Sequence, residues 1–256
     1  MSLLPLEEFP KLSKYPIKLI ATDMDGTLTL QGKFTVSLLQ ALETLAQHSV
    51  DVIIVTGRSA GWVQSIKNYL PITGAISENG GIYFPKNQDT PVILSAIEDI
   101  TKHRQKLAQM FHTLTNQFPQ LKESADNQFR LTDWTFDVEG LSKADLDKLE
   151  KLCFEEGWSF TYSTVQCHIK PMLQDKANSL NQVLHQYFPS LTPHQIITVG
   201  DSPNDESLFN QKLFPLSLGV ANILHYKEQL KHLPIYITPC EEIEGFCQLT
   251  EILINS

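Results

Sequence analysis

Apolar residues follow two rhythms along this chain. Short, almost wholly apolar runs over 17–22 and 52–55 have the character of strands in a parallel sheet covered on both faces. Between them Val36, Leu39, Leu42, Leu45 and Ala46 recur at helical spacing, which predicts a right-handed β-α-β unit. A helix over 59–70 follows, with Trp62, Val63, Ile66 and Leu70 on one face and Pro71 as its stop, then strands over 72–76 and 82–84. The alternation returns near the C-terminus. It predicts a helix over 177–188 stopped by Pro189, strands over 196–199, 216–220 and 235–238, and helices over 206–210 and 222–232.

The stretch 85–172 between these blocks far exceeds the ~30 residues of a simple crossover. It predicts a long helix carrying Ile100, Leu107, Phe111, Leu114 and Phe118, a strand over 129–138, a second helix, and a strand over 160–169. The second helix opens with Ser142 and Asp145 in capping-box spacing and ends at Gly157. The fold class expected is α/β: a Rossmann-like parallel-sheet core of residues 1–84 and 173–256, with a smaller α+β cap inserted at 85–172.

Composition narrows the partners. With 42% hydrophobic and 19% charged residues the chain is ordinary globular sequence. Twenty-nine acidic against 20 basic residues give a net charge of −9, a field that argues against nucleic-acid and anionic-membrane partners. A small anion remains admissible where local positive groups or a metal prevail within about one Debye length, ~8 Å. Cys153, Cys167, Cys240 and Cys247 show neither a Cys-x-x-Cys pair nor zinc spacing. No window reaches the ~18 apolar residues of a membrane span, and residues 1–10 lack a signal-peptide pattern. The expectation is a soluble, cytoplasmic protein.

The chemistry-bearing residues stand at strand ends. Asp23-Met24-Asp25-Gly26-Thr27 follows the first strand and sets two carboxylates two residues apart, where α/β sheets bind ligands. Thr56-Gly57-Arg58 closes the second strand with a hydroxyl, a free backbone and a guanidinium suited to phosphate oxygens. Gly200-Asp201-Ser202-Pro203-Asn204-Asp205 repeats the two-carboxylate design after the strand over 196–199. Four aspartates converging without cysteine or histidine suit a hard cation such as Mg²⁺. Lys176 opens the helix after the insertion and can offset these carboxylates, with Lys170 a nearby competitor.

In this order the pieces resemble the four motifs of the haloacid dehalogenase-like hydrolase superfamily: Asp-x-Asp-Gly-Thr, Thr-Gly-Arg, a lysine, and Gly-Asp-x-x-Asn-Asp. The inserted cap and Ser77-Glu78-Asn79-Gly80-Gly81 resemble its Cof-type sugar-phosphatase branch. The resemblance implies a Mg²⁺-dependent phosphomonoester hydrolase acting on a small organic phosphate, a sugar phosphate or related metabolite, as a monomer or homodimer. Asp23 would be the nucleophile that becomes an aspartyl phosphate and Asp25 the general acid and base, with Thr56 and Lys176 holding the phosphoryl group. Asp23, Asp25 (through its main-chain carbonyl), Asp201 and Asp205 would form the metal site. Met24, Gly57, Arg58 and Asn204 would line the phosphate. On the cap, Arg130, Gln166, His168 and Lys170 are the candidates to meet the leaving group. A sugar phosphomutase using the same aspartyl phosphate is the alternative, and a non-enzymatic phospho-aspartate switch is the more distant one.

Overall fold

The computed structural model describes residues 3–9, 16–163 and 165–255. Its twelve strands, among the described residues, are β1 (Leu4–Pro5), β2 (Leu19–Thr22), β3 (Asp51–Val55), β4 (Gly74–Ser77), β5 (Ile82–Pro85), β6 (Val92–Ile93), β7 (Trp134–Asp137), β8 (Trp158–Tyr162), β9 (Gln166–Pro171), β10 (Ile196–Gly200), β11 (Ser217–Gly219) and β12 (Tyr236–Ile237). The helices are α1 (Val36–Gln47), α2 (Ala60–Tyr69), α3 (Ile100–Gln117), α4 (Lys143–Glu155), α5 (Lys176–Tyr187) and α6 (Glu242–Ile254).

Nine strands form one sheet in the order β1-β12-β11-β10-β2-β3-β4-β5-β6. Pairing is parallel from β1 to β4 and antiparallel through β5 and β6. Side chains of the central strands alternate between two apolar layers. Ile20, Val52, Ile54, Ile197 and Val199 pack with faces of α1, α2 and α6, whereas Leu19, Ala21, Ile53, Val55 and Ile196 pack with α5. This two-sided burial is why the strands read as continuous apolar runs. Because β2 lies between β3 and β10, the carboxyl ends of the three carry the first, second and fourth motifs to one place.

The insertion has its own three-stranded antiparallel sheet, β7-β9-β8. Leu107, Leu114, Phe136, Leu149, Phe160 and Ile169 form its separate apolar core. The expected capping box is present, Ser142 and Asp145 each satisfying the other's backbone N–H.

Four details correct the sequence reading. The strand expected over 160–169 is the hairpin β8–β9, turned where Ser163 Oγ accepts from the backbone of Val165 and Gln166. The strand expected from 129 begins only at Trp134, because Ala125–Phe129 winds into a 3-10 turn. Pro203–Phe209 and Ala221–Gln229 are 3-10 segments rather than α-helices. Proline opens the first, and the second buries only Ile223, so no apolar stripe drives regular helix. α6 was not anticipated, although Ile243, Phe246 and Leu249, all buried, carry its signal.

Candidate active site

Asp23 leaves the end of β2 with its N–H on the carbonyl of Val199, which fixes the first motif against β10. Gly26 then adopts φ +82°, and a Cβ there would stand 2.4 Å from Asp201 Oδ2. The residue must be glycine both for its backbone and for this approach. Thr27 Oγ1 donates to Asp201 Oδ1 at 3.1 Å, and Asn222 Nδ2 donates to Asp201 Oδ2 at 2.9 Å and to the carbonyl of Gly26 at 3.0 Å. Asn222 escaped the sequence reading. Its only signal is its position just after β11, at the same end of the sheet.

Lys176 rather than Lys170 reaches the aspartates. Its buried Nζ donates to Asp23 Oδ1 at 2.5 Å and to Asp205 Oδ1 at 2.6 Å. Asp205 Oδ2 accepts the backbone N–H groups of Asp201 at 2.9 Å and Ser202 at 3.1 Å, so this carboxylate braces the loop as well as the lysine. Asp23, Asp201 and Asp205 are buried and offer oxygens within 4.8 Å of one another. Burial first, then Asp205, pushes Asp23 up to about 7 against the pull of Lys176. Burial and its two neighbours likewise hold Asp201 well above the carboxylate range. Burial would lower Lys176, but the two carboxylates outweigh it and hold the ammonium charged. One ammonium does not offset three buried carboxyl groups, which is why Asp23 and Asp201 are pushed toward the protonated form, and the all-oxygen donor set fits a hard divalent cation that would let them ionise.

The Asp25 side chain lies outside that cluster. Arg58 forks it, Nε to Oδ2 at 2.9 Å and Nη2 to Oδ1 at 2.6 Å, so the guanidinium expected at the phosphate is engaged with Asp25 here. Arg58 also stacks over Trp62 at 5.5 Å. Thr56 is buried at the end of β3, its Oγ1 accepting from Arg58 N at 3.2 Å. The Met24 side chain is in the core, leaving only its backbone for the loop. Asn204 accepts from Ser202 Oγ at 2.6 Å and donates to Asn79 Oδ1 at 3.2 Å.

The cap divides its candidates. Gln166 and His168 line the cleft that holds Asp23, Asp25, Thr56, Gly57 and Arg58. His168 Nδ1 pairs with Asp133 Oδ2 at 2.8 Å; burial, the largest influence, favours the neutral imidazole despite Asp133. Arg130 does not face the cleft. Its fully buried guanidinium binds Asp126, Asp133 and Gln166, and donates to the carbonyl of Gly57 at 2.9 Å, clamping cap to core. Lys170 lies in a neighbouring cleft. Glu78, quoted in sequence only within an Asn-Gly turn, is a second clamp: its buried carboxylate accepts from Ala60 N of the core and from Leu131 N, Thr132 N and Thr132 Oγ1 of the cap. The Asp23 cleft holds about 20 Å³, room for about one water, with the Arg58 guanidinium on Asp25 occupying part of its lining.

Comparison with known proteins places this architecture. The model of the sucrose-6F-phosphate phosphohydrolase family matches residues 16–249. Phosphoglycolate phosphatase 1 of Saccharolobus solfataricus is 25% identical over 246 residues, spanning 93% of this chain and 96% of that one. The crystal structure of a Thermoplasma acidophilum protein superposes with a TM-score of 0.75 at 22% identity, over 94% of this chain and all of its own. The sucrose-phosphatase of Synechocystis sp., solved with sucrose and phosphate, does so with a TM-score of 0.70 at 16% identity, over 94% and 99%. Among the described residues no helix is long and apolar enough to cross a membrane. The chain belongs to the sucrose-6F-phosphate phosphohydrolase family, of the haloacid dehalogenase-like hydrolases, and is a phosphatase.

Proposed function

We propose that this phosphatase is a Mg²⁺-dependent phosphomonoesterase of small organic phosphates, phosphoglycolate or a sugar phosphate, working through an aspartyl phosphate on Asp23. The observation that carries the reading is the triad of buried carboxylates with Lys176 set between Asp23 and Asp205. Only Oδ1 of Asp23 is engaged by the lysine, which leaves Oδ2 to attack phosphorus in line. Thr56 and Lys176 hold equatorial oxygens of the phosphoryl group, whose transfer depends chiefly on positioning and charge. Asp25, released from Arg58, protonates the departing oxygen and then takes the proton of the water that frees Asp23. Asp23, the main chain of Asp25, and Asp201 would hold magnesium, with Asp205 orienting the loop; when bound the ion neutralises charge on the carboxylates and the phosphoryl oxygens.

Residues 1–84 and 173–256 serve as catalytic core and 85–172 as the cap that meets the leaving group, through Gln166 and His168. The relatives' names include both phosphoglycolate and sucrose-phosphate phosphatases, which is why both substrate types stand in the proposal. Four free cysteines accord with a reducing, cytoplasmic setting. Asp23→Asn keeps the shape and removes the nucleophile, so turnover is expected to vanish with the fold intact. Activity above roughly a few per cent of wild type would refute covalent catalysis through this residue.

A further inference from the structure

Two buried donors beside the catalytic centre take no part in that mechanism. The first is Lys170 on β9, 5% exposed. Its Nζ donates to Ser159 Oγ at 3.4 Å and to the carbonyl of Gln174, both neutral oxygens. No carboxylate among the described residues lies within ion-pair distance of it. Burial pushes the ammonium down to about 8 against the more distant pull of Asp175 and Asp133. A desolvated cation without a counter-charge is costly, and an anion beside it recovers that cost.

The second is Asn79, in the turn between β4 and β5. Its Oδ1 accepts from Asn204, but its Nδ2 is buried and has no acceptor. Native structures seldom leave such a donor unsatisfied, and each case asks for a reason. The backbone here is also held in the left-handed region, φ +52°, so the side chain is placed at some conformational cost.

Both residues wall one cleft of about 270 Å³, together with Lys176, Asn204, Lys231 and His232. The acids at its edge are already engaged. Asp175 caps α5 through Asn178, and Glu206 accepts the backbone N–H groups of Lys231 and His232. Asp175 and Glu206 keep their charge, so the cleft is not positive throughout; its unmet demands are local, at the Lys170 ammonium, which among the described residues has no carboxylate within ion-pair distance, and at the unsatisfied Nδ2 of Asn79. Asn204 also lines the Asp23 cleft, so the two clefts adjoin at that residue.

We propose that this cleft is a second anion subsite adjoining the phosphoryl position, built for a carboxylate or phosphate group, with Lys170 as its charge and Asn79 as its directional donor. Two sources share that chemistry: the acidic end of the substrate and the inorganic phosphate released. The proposal deepens the phosphatase reading and rests on it for which anion arrives, while the site itself rests on the cleft.

Lys170→Met keeps the packed stem and removes the charge; Lys170→Arg keeps the charge; Asn79→Asp replaces the donor by an acceptor. For each variant and the wild type, kcat/KM is measured with phosphoglycolate and with 2-hydroxyethyl phosphate, in which a hydroxymethyl group replaces the carboxylate, and inorganic phosphate is titrated calorimetrically. If the substrate's acid occupies the subsite, Lys170→Met lowers the ratio of the two kcat/KM values on the order of tenfold to a hundredfold, mainly through KM. Lys170→Arg restores most of the ratio, and Asn79→Asp lowers it too. If released phosphate is the occupant, the ratio holds and Lys170→Met weakens phosphate binding on the order of tenfold or more. Equal loss on both esters with unchanged phosphate affinity would assign Lys170 to bracing the Gln174 loop and overturn the subsite. A wild type silent on both esters would count against the phosphatase reading instead, and the phosphate titration would still decide the subsite.

Discussion

Glu78 ties cap to core through one carboxylate, and Glu78→Gln measures that tie. Oε1 accepts from Ala60 N at 2.9 Å, and Oε2 from Thr132 N at 2.6 Å and Thr132 Oγ1 at 2.7 Å, with Leu131 N 3.1 Å from both oxygens. All of these groups donate. An amide of the same shape keeps one acceptor; with its oxygen on the Thr132 side, its NH₂ confronts Ala60 N, a donor at the start of α2. One charge-assisted bond is lost and the others fall to neutral strength. At the lower bound of ~1.5 kcal/mol for a bond to a charged group and ~1 kcal/mol for a neutral one, the lost bond and the three weakened ones together cost about 3 kcal/mol. Burial, the largest influence on Glu78, raises its pKa, so the uncharged amide recovers part of the desolvation cost. A net loss of about 2 kcal/mol remains. For a chain of this size that lowers Tm by roughly 4–8 °C. Differential scanning calorimetry at neutral pH reads it, and KM should rise as the cap docks less firmly. A Tm equal to or above that of the wild type would refute the account of Glu78 as a cap–core tie.

Three further outcomes follow from the same geometry. Asp25→Asn should cut turnover of alkyl phosphates ~10²–10⁴-fold yet still release a stoichiometric burst of p-nitrophenolate in stopped flow, because that leaving group needs no proton; absence of a burst would exclude Asp25 from the second, hydrolytic half. Asp205→Asn loosens both Lys176 and the Asp201 loop, so half-saturating Mg²⁺ should rise ~10–100-fold and added Mg²⁺ should restore part of the rate; no rescue at any concentration counts against a metal role. Preference for phosphoglycolate over 2-hydroxyethyl phosphate should fall as pH rises through about 8, since Lys170 is charged below that value and neutral above it. Lys170→Arg should make that profile flat, and an unchanged slope would disconnect it from Lys170.

The parallel strands were legible because burial on both faces leaves almost no polar residue in them, and the motifs because each sits where such a strand ends. Asp23, Thr56 and Asp201 needed only their strands to be placed correctly. Lys176 and Lys170 could not be told apart by spacing, since six residues separate them; helix α5 aims one at the aspartates and β9 aims the other at a loop carbonyl. The β8–β9 hairpin was hidden because its turn is made by a serine hydroxyl rather than by glycine or proline. The clamps formed by Glu78 and Arg130 were least visible. Their partners lie 54 and 73 residues away, at Thr132 and Gly57 respectively, and no periodicity links such pairs. Asn222 was silent for the same reason, and Asn79 was read only as part of an Asn-Gly turn.

The account stands most directly on phosphate release from a panel of phosphoglycolate, phosphoglycerate, sugar phosphates, nucleotides and p-nitrophenyl phosphate, run with Mg²⁺ and again with EDTA. Release from one or two members that depends on Mg²⁺, is lost in EDTA and is absent in Asp23→Asn is the expected result. Release that survives EDTA or the Asp23 substitution, or silence across the panel from folded protein, would contradict it.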